Sequence, residues 1–263
     1  MSSGTTLKHV LGARPHQTGR ECAQRPPRPT VQPPARGSAM ISSPDNEKLK
    51  LVRKLQDRRW RDKLGLFVCE GEDQVAAATA EPVELLIAGE NVEAELLAQV
   101  ATAGHPPRVI GVYRRADLPS LADRRATVAL WQLSDPGNVG TLIRTADAFG
   151  AAVALSPGCA DPTGPKAVRA SAGSIWNVPT LAWDDLPAAT PRVALVAHGG
   201  VPLPEANLTG PVILLLGSER DGLPREIDRD LEVTIPIGSA ESLNVAAAGA
   251  IALYEWQRQN GPQ

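Results

Sequence analysis

From residue 44 to residue 258 the sequence alternates helix-like periods with short apolar runs, and no other feature limits the possible folds as strongly. Apolar runs fall at 64–70 (LGLFVCE), 83–89 (VELLIAG) and 108–112 (RVIGV), separated by amphipathic segments at 71–80 and 91–101. One helix is expected before them, over 44–63, and a short one after them, near 114–121. A second series opens with ATVALWQL (126–133) and continues with a helix at 138–150, a strand at 152–156 and a helix at 165–174. Strands near 178–181, 193–197, 211–216 and 232–237 follow, and a helix over 243–258 closes it. Alternation of this kind predicts an α/β fold with a largely parallel sheet in each unit. The two units meet near 122–126, giving domains at 40–122 and 123–263.

Residues 1–39 stand apart, rich in proline and arginine, with a single Glu and no periodic hydrophobics. Such a segment lacks the apolar surface needed to order itself and is expected to be disordered. Two alternatives stay open: a start at Met40, and an organellar transit peptide, which the dense proline opposes. The remainder needs no staples, because a chain of 263 residues with 43% hydrophobic residues can build a self-sufficient core. Cys22, Cys69 and Cys159 are odd in number and far apart, which suggests neither a disulfide framework nor a metal cluster. No apolar run approaches the roughly 20 residues that span a bilayer. A reducing, cytoplasmic setting without membrane attachment is the expectation.

The net charge of −2 conceals an uneven distribution. Residues 48–63 (KLKLVRKLQDRRWRDK) carry eight basic side chains and two acidic ones, a density suited to neutralising phosphates and equally compatible with a solvated helix face. Leu49, Val52, Leu55 and Leu64 are spaced as one apolar stripe, which would turn the cations outward.

Three stretches combine glycine, amide and charge at predicted strand ends. In DPGNVGTLIRTADAFGA (135–151), Asn138 opens a helix whose apolar face is Val139, Leu142, Ile143, Ala146 and Phe149, with Arg144 beside it. In VILLLGSERDGLP (212–224) a buried strand stops at Gly217-Ser218-Glu219, where a glycine permits close approach to the backbone. In VTIPIGSAESLNVAAAGAIALYEW (233–256), Ser242 and Asn244 are candidate N-caps for a helix packed through Val245, Gly249, Ile251, Ala252 and Tyr254. Dinucleotide, P-loop, nucleophile-elbow and zincin motifs are absent from the sequence. Of its four histidines only His198 falls near these stretches, which argues against His-based acid/base chemistry.

Taken in order, N-x-G-x-x-x-R-x-A at 138–146, L-G-x-E-x-x-G-L at 216–223 and I-P-I-x-x-x-x-S-L-N-V at 235–245 resemble the three motifs of the SpoU, or TrmH-like, RNA 2′-O-ribose methyltransferases. The resemblance covers 126–258, includes KAVRASAGSIWNVP (166–179), and extends to thiostrepton-resistance ribosomal RNA methyltransferases. More loosely, 45–115 with its RxxRDKxGLFVCEGED opening is similar to an L30e-like RNA-binding unit. The family resemblance implies a deep trefoil knot, a homodimer formed through the knotted domain, and S-adenosyl-L-methionine as cofactor. It assigns cofactor contacts to Ala197, His198, Gly199, Leu216, Gly217, Ile235, Ile237 and Leu243, and active-site positions to Asn138, Arg144, Glu219, Ser242 and Asn244.

A guanidinium is a poor base, so the role expected for Arg144 is to clamp the phosphate next to the target ribose and help orient its hydroxyl. Asn138 would orient Arg144 or the ribose, Glu219 would hold Arg144 or polar cofactor groups, and Ser242 and Asn244 would shape the pocket wall. Arg53, Lys54, Arg58, Arg59 and Arg61 are expected to grip an RNA backbone, read by shape because aromatic residues make up only 3% of the chain. The expected substrate is 23S ribosomal RNA. The alternatives are transfer RNA and a catalytically silent RNA-binding protein on the same fold.

Overall fold

The computed structural model describes residues 40–119 and 124–261. The predicted tail at 1–39 and residues 122 and 123 of the predicted junction lie outside the described residues.

The amino-terminal unit begins with two helices where one was expected. α1 (Glu47–Lys54) is capped by Asn46, whose side chain accepts from Lys48 N at 2.9 Å. α2 (Arg58–Leu64) starts afresh because Asp57 caps it, accepting from Arg59 N at 2.8 Å, and it stops at Gly65 with φ 65°. The Arg61 guanidinium turns back between the helices and donates to the carbonyls of Leu55 and Gln56, both at 2.8 Å. The apolar stripe is correspondingly shorter: Leu49, Val52 and Leu55 are buried, whereas Leu64 is exposed.

β1 (Leu66–Glu70), α3 (Glu72–Ala76), β2 (Glu84–Ile87), α4 (Ala94–Val100) and β3 (Val109–Arg114) follow, and a single helical turn at Arg115–Asp117 stands where a short helix was expected. The sheet order is β1-β3-β2 with both pairings antiparallel, which corrects the expectation of a parallel sheet here. Apolar runs reveal strands but not their partners, and β3 enters between two strands that run the opposite way. Strand alternation divides the side chains between two cores. Val68, Leu86, Ile110 and Val112 face α1 and α4, while Phe67, Cys69, Val109 and Tyr113 pack against Val168, Ile175 and Trp176 of the carboxyl-terminal half.

That second half is built on β4 (Ala126–Leu130), β5 (Ala152–Leu155), β6 (Thr180–Ala182), β7 (Arg192–Leu195), β8 (Val201–Pro202), β9 (Val212–Leu216) and β10 (Leu231–Thr234). Every pairing is parallel and the order is β6-β5-β4-β9-β7-β10-β8. β9 therefore sits between β4 and β7, and β10 between β7 and β8. β8, two residues long, carried no sequence signal. α5 (Pro136–Ala148), α6 (Pro165–Ser171) and α7 (Val245–Asn260) complete the fold. A Cβ at Gly140 would strike the backbone of Ala167, so α5 and α6 approach as closely as they do only because that position is glycine. α7 buries Gly249 and Ala252 as expected and packs Val245 against the core, but Ala246, Leu253 and Trp256 complete the buried face, leaving Ile251 and Tyr254 39% and 60% exposed.

An ion cluster, buried at Arg61 and Asp161 and opening to solvent at Asp62, ties the halves together. Arg61 Nε lies 2.7 Å from Asp161 Oδ2, and Arg115 bridges Asp161 at 2.8 Å and Asp62 at 2.6 Å. Burial alone would raise the Asp161 carboxyl, but hydrogen bonds from Thr163 and Arg61 together with the Arg115 charge outweigh it and hold the group below the usual carboxylate range.

Candidate active site

Strands β4, β9, β7 and β10 are neighbours in the parallel sheet, so the segments leaving their carboxyl ends emerge side by side. Open α/β sheets place ligands at this edge. Here the segments are 131–138 after β4, 217–222 after β9, 196–199 after β7 and 235–244 after β10, and three of them carry the motifs found in the sequence.

α5 begins at Pro136, two residues earlier than expected, with Asp135 and not Asn138 as N-cap. Asp135 accepts from Gly137 N at 3.0 Å and from Lys166 Nζ at 2.7 Å. Those two contacts keep its carboxyl below the usual range. Asn138, freed from capping, points its amide across the sheet edge. Its Nδ2 donates to Glu219 Oε1 at 3.1 Å, and its Oδ1 accepts from Asn244 Nδ2 at 3.1 Å. Asn244 caps α7 as expected, its Oδ1 accepting from Ala246 N at 2.9 Å and Ala247 N at 3.3 Å. The three motifs are thus joined through side chains alone, in the order Asn244, Asn138, Glu219.

Beside this chain of amides opens a cleft of about 510 Å³. Its walls include Ala197, Leu216, Gly217, Ile235, Ile237 and Leu243 from the predicted cofactor set, and Glu219, Ser242 and Asn244 from the predicted active-site set. A β-bridge between Ser218 and Gly222 folds the segment after β9 into a tight loop. A Cβ at Gly217 would run into the Gly222 backbone, so the loop closes only on glycine. Thr234 Oγ1 donates to the Ala197 carbonyl at 3.1 Å and links the ends of β10 and β7.

The SpoU rRNA Methylase family pattern matches residues 125–254. The chain is also 32% identical over 241 residues to the 23S rRNA (guanosine(2553)-2'-O)-methyltransferase RlmP of Bacillus subtilis, covering 81% of this chain and 97% of that one. This chain belongs to the SpoU family. Its fold is similar to the AdoMet-bound rRNA methyltransferase from Sinorhizobium meliloti, at a TM-score of 0.73 and 28% identity over 84% of this chain and 98% of that one. The SpoU methyltransferase AviRb from Streptomyces viridochromogenes, solved with AdoMet, gives a TM-score of 0.71 at 27% identity over 81% and 98%.

In this SpoU chain not every expected residue reaches the cleft. His198 and Gly199 lie outside its lining and are exposed. Arg144 is exposed on α5, where six residues at about 100° each turn it roughly 120° away from Asn138. Neither a hydrogen bond nor an ion pair joins its side chain to another described residue. Ser218, Arg220 and Thr234 line the cleft but were missed, since their only signal was adjacency to a motif.

The basic strip divides. Arg61 is 4% exposed and committed to Asp161 and two carbonyls, so it is structural and does not face RNA. Arg58 donates to the Cys159 carbonyl at 3.2 Å and Arg53 to the Pro44 carbonyl at 2.8 Å. Lys54 and Arg59 are exposed.

Proposed function

We propose that this chain is an S-adenosyl-L-methionine-dependent methyltransferase that methylates a ribose 2′-hydroxyl of RNA, with 23S ribosomal RNA as the substrate. The observation that carries this reading is the amide chain from Asn244 through Asn138 to Glu219 at the mouth of the cleft, because it unites three motifs that lie far apart in sequence.

The cleft suits the cofactor. Bare backbone at Gly217, apolar walls from Ile235, Ile237 and Leu243, and polar groups on Ser218, Thr234 and Glu219 would hold a flat base, a sugar and an amino-acid portion. When bound, the cofactor supplies an electrophilic sulfonium methyl. The protein's part is then to align the hydroxyl and take up its proton. Arg144 neutralises the phosphate beside the target ribose, and the hydroxyl proton passes to a phosphate oxygen held there and on to water. Asn138 fixes the ribose edge, while Ser242 and Asn244 limit where the sugar can sit.

Because Arg144 faces away from the cleft of its own chain, the reading includes a homodimer in which α5 of one copy lends this arginine to the other. Insertion of β9 and β10 between earlier strands supports a trefoil-knotted backbone. The unit at 40–122 acts as the L30e-like RNA-binding domain, and the protein works in the cytoplasm, where ribosomal RNA is found.

Two measurements test the reading. Titration calorimetry should detect S-adenosyl-L-methionine binding, and mass spectrometry of nucleosides should detect one 2′-O-methylated ribose in 23S ribosomal RNA incubated with protein and cofactor. Methylation of transfer RNA instead would replace the substrate, and cofactor binding without methylation of either RNA would leave a silent binding protein.

A further inference from the structure

The basic strip at 48–63 looks uniform in sequence, yet the fold neutralises half of it. Among the described residues Lys48 pairs with Glu84 at 2.6 Å, Lys50 with Glu47 at 3.1 Å, Arg58 with Asp62 at 3.7 Å and Arg61 with Asp161 at 2.7 Å. Arg53, Lys54, Arg59 and Lys63 have no carboxylate partner among the described residues. Two of these four converge on one ring. Lys54 Nζ lies 5.3 Å and Lys63 Nζ 5.0 Å from the centroid of Trp60, within range of a cation–π contact.

Trp60 is half-buried, and one turn further along α2 Leu64 is 41% exposed. The pair forms a small apolar spot with unpaired cations around it. Both ammoniums lie over the ring in the free chain, so a base that stacks on it takes the place of at least one of them, and the displaced lysine is left beside the base's own phosphates. A nucleic-acid base supplies a π-face for the ring while its flanking phosphates meet the lysines, a combination used by proteins that bind unpaired strands. A base inside a duplex is already stacked on both faces.

We propose that Trp60, with Lys54 and Lys63, is a clamp for one unpaired nucleotide of the substrate RNA, the ring stacking on the base and the two ammoniums meeting the phosphates on either side. The inference rests on the RNA-directed reading above and adds to it a single-stranded element in the substrate, recognised outside the cleft. It also changes the expectation of recognition by shape alone.

The test uses the full chain and a short fluorescein-labelled RNA without self-complementarity, alone and annealed to its complement, read by anisotropy across a salt series. Trp60→Ala and Trp60→Leu should each weaken binding of the unpaired RNA by about 5- to 150-fold, the range expected for losing one base stack, and leave the salt slope unchanged. Trp60→Leu keeps apolar volume at the site, and Trp60→Phe should regain most of the affinity, which separates a lost ring from a lost fold. Lys54→Gln with Lys63→Gln should lower the salt slope by about 1.4.

Equal weakening toward single-stranded and duplex RNA would overturn the clamp, as would unchanged binding in Trp60→Leu. Binding to phosphatidylglycerol vesicles that depends on Trp60 while RNA binding does not would overturn it in favour of a membrane surface. If the wild-type protein methylates no ribose but Trp60→Leu still releases unpaired RNA selectively, the clamp stands and the proposed reaction fails. If 23S ribosomal RNA is methylated and all Trp60 variants bind unpaired RNA normally, only the clamp fails.

Discussion

Asn244 donates to Asn138 across 3.1 Å while its own carbonyl oxygen caps α7, so one side chain both starts a helix and sets the direction of a hydrogen-bond chain. The cap requires an acceptor at Oδ1, which leaves only the Nδ2 donor for Asn138. Asn138 must then present Oδ1 to Asn244 and Nδ2 to Glu219. Amide orientation at the cleft is thereby fixed by backbone N–H groups of α7.

Asn244→Asp separates the two jobs. Aspartate caps a helix as well as asparagine does, so thermal stability should stay within about 0.5 kcal/mol of wild type. It cannot donate to Asn138, and methyl transfer should fall sharply. Asn244→Ala should lose both, with about 1 kcal/mol of stability lost along with turnover. Paired denaturation and methyl-transfer assays check the contrast.

Gly217→Ala should damage the cleft specifically. The added methyl meets the Gly222 backbone, which cannot rotate aside as a side chain would, so relief requires the loop to move. Overpacking of this kind costs about 1–3 kcal/mol. Calorimetry should show weakened or lost S-adenosyl-L-methionine binding, with far-ultraviolet circular dichroism unchanged.

Arg144→Ala should lower turnover by about 10²- to 10³-fold, as for loss of one charge-stabilising donor, with cofactor affinity retained. Mixing it with Asn244→Asp tests whether sites are shared. If each site draws Arg144 from the other copy, mixed dimers carry one intact site and should recover roughly a quarter of wild-type activity by statistical exchange. No recovery would confine the arginine to its own subunit.

Asp161→Asn should loosen the two halves. It leaves the buried Arg61 without its counter-charge, which costs about 3–5 kcal/mol when one partner of a buried pair is removed. The folded-state carboxyl lies below its unfolded value, so its contribution to stability is present above about pH 4 and lost as pH falls through the depressed value. The stability gap between wild type and Asp161→Asn should accordingly close in acid, which urea unfolding at several pH values would detect.

Much of this architecture was readable before any coordinates. The ten strands include nine anticipated by apolar runs, and motif order correctly brought Asn138, Glu219 and Asn244 to one place. What escaped depended on partners distant in sequence. Arg61 reads as one more cation in a basic helix until Asp161, 100 residues later, is found against it. The antiparallel β1-β3-β2 sheet escaped for a similar reason, since strand neighbours are chosen by tertiary packing and not by local pattern. The face of α7 was assigned only in part, Gly249 and Ala252 correctly and Ile251 and Tyr254 not, because its alanine-rich first half offers little contrast between sides and Leu253 and Trp256 lie next to the exposed pair in sequence.

The sheet order has a consequence for how this protein can be shortened. β9 lies at the centre of the seven strands although it is among the last to be synthesised, so the margin of the sequence is the middle of the molecule. Trimming from the carboxyl end would take out the strand that holds β4 to β7, parting the structure instead of nibbling at its rim. A fragment ending before residue 212 should therefore fail to form this sheet.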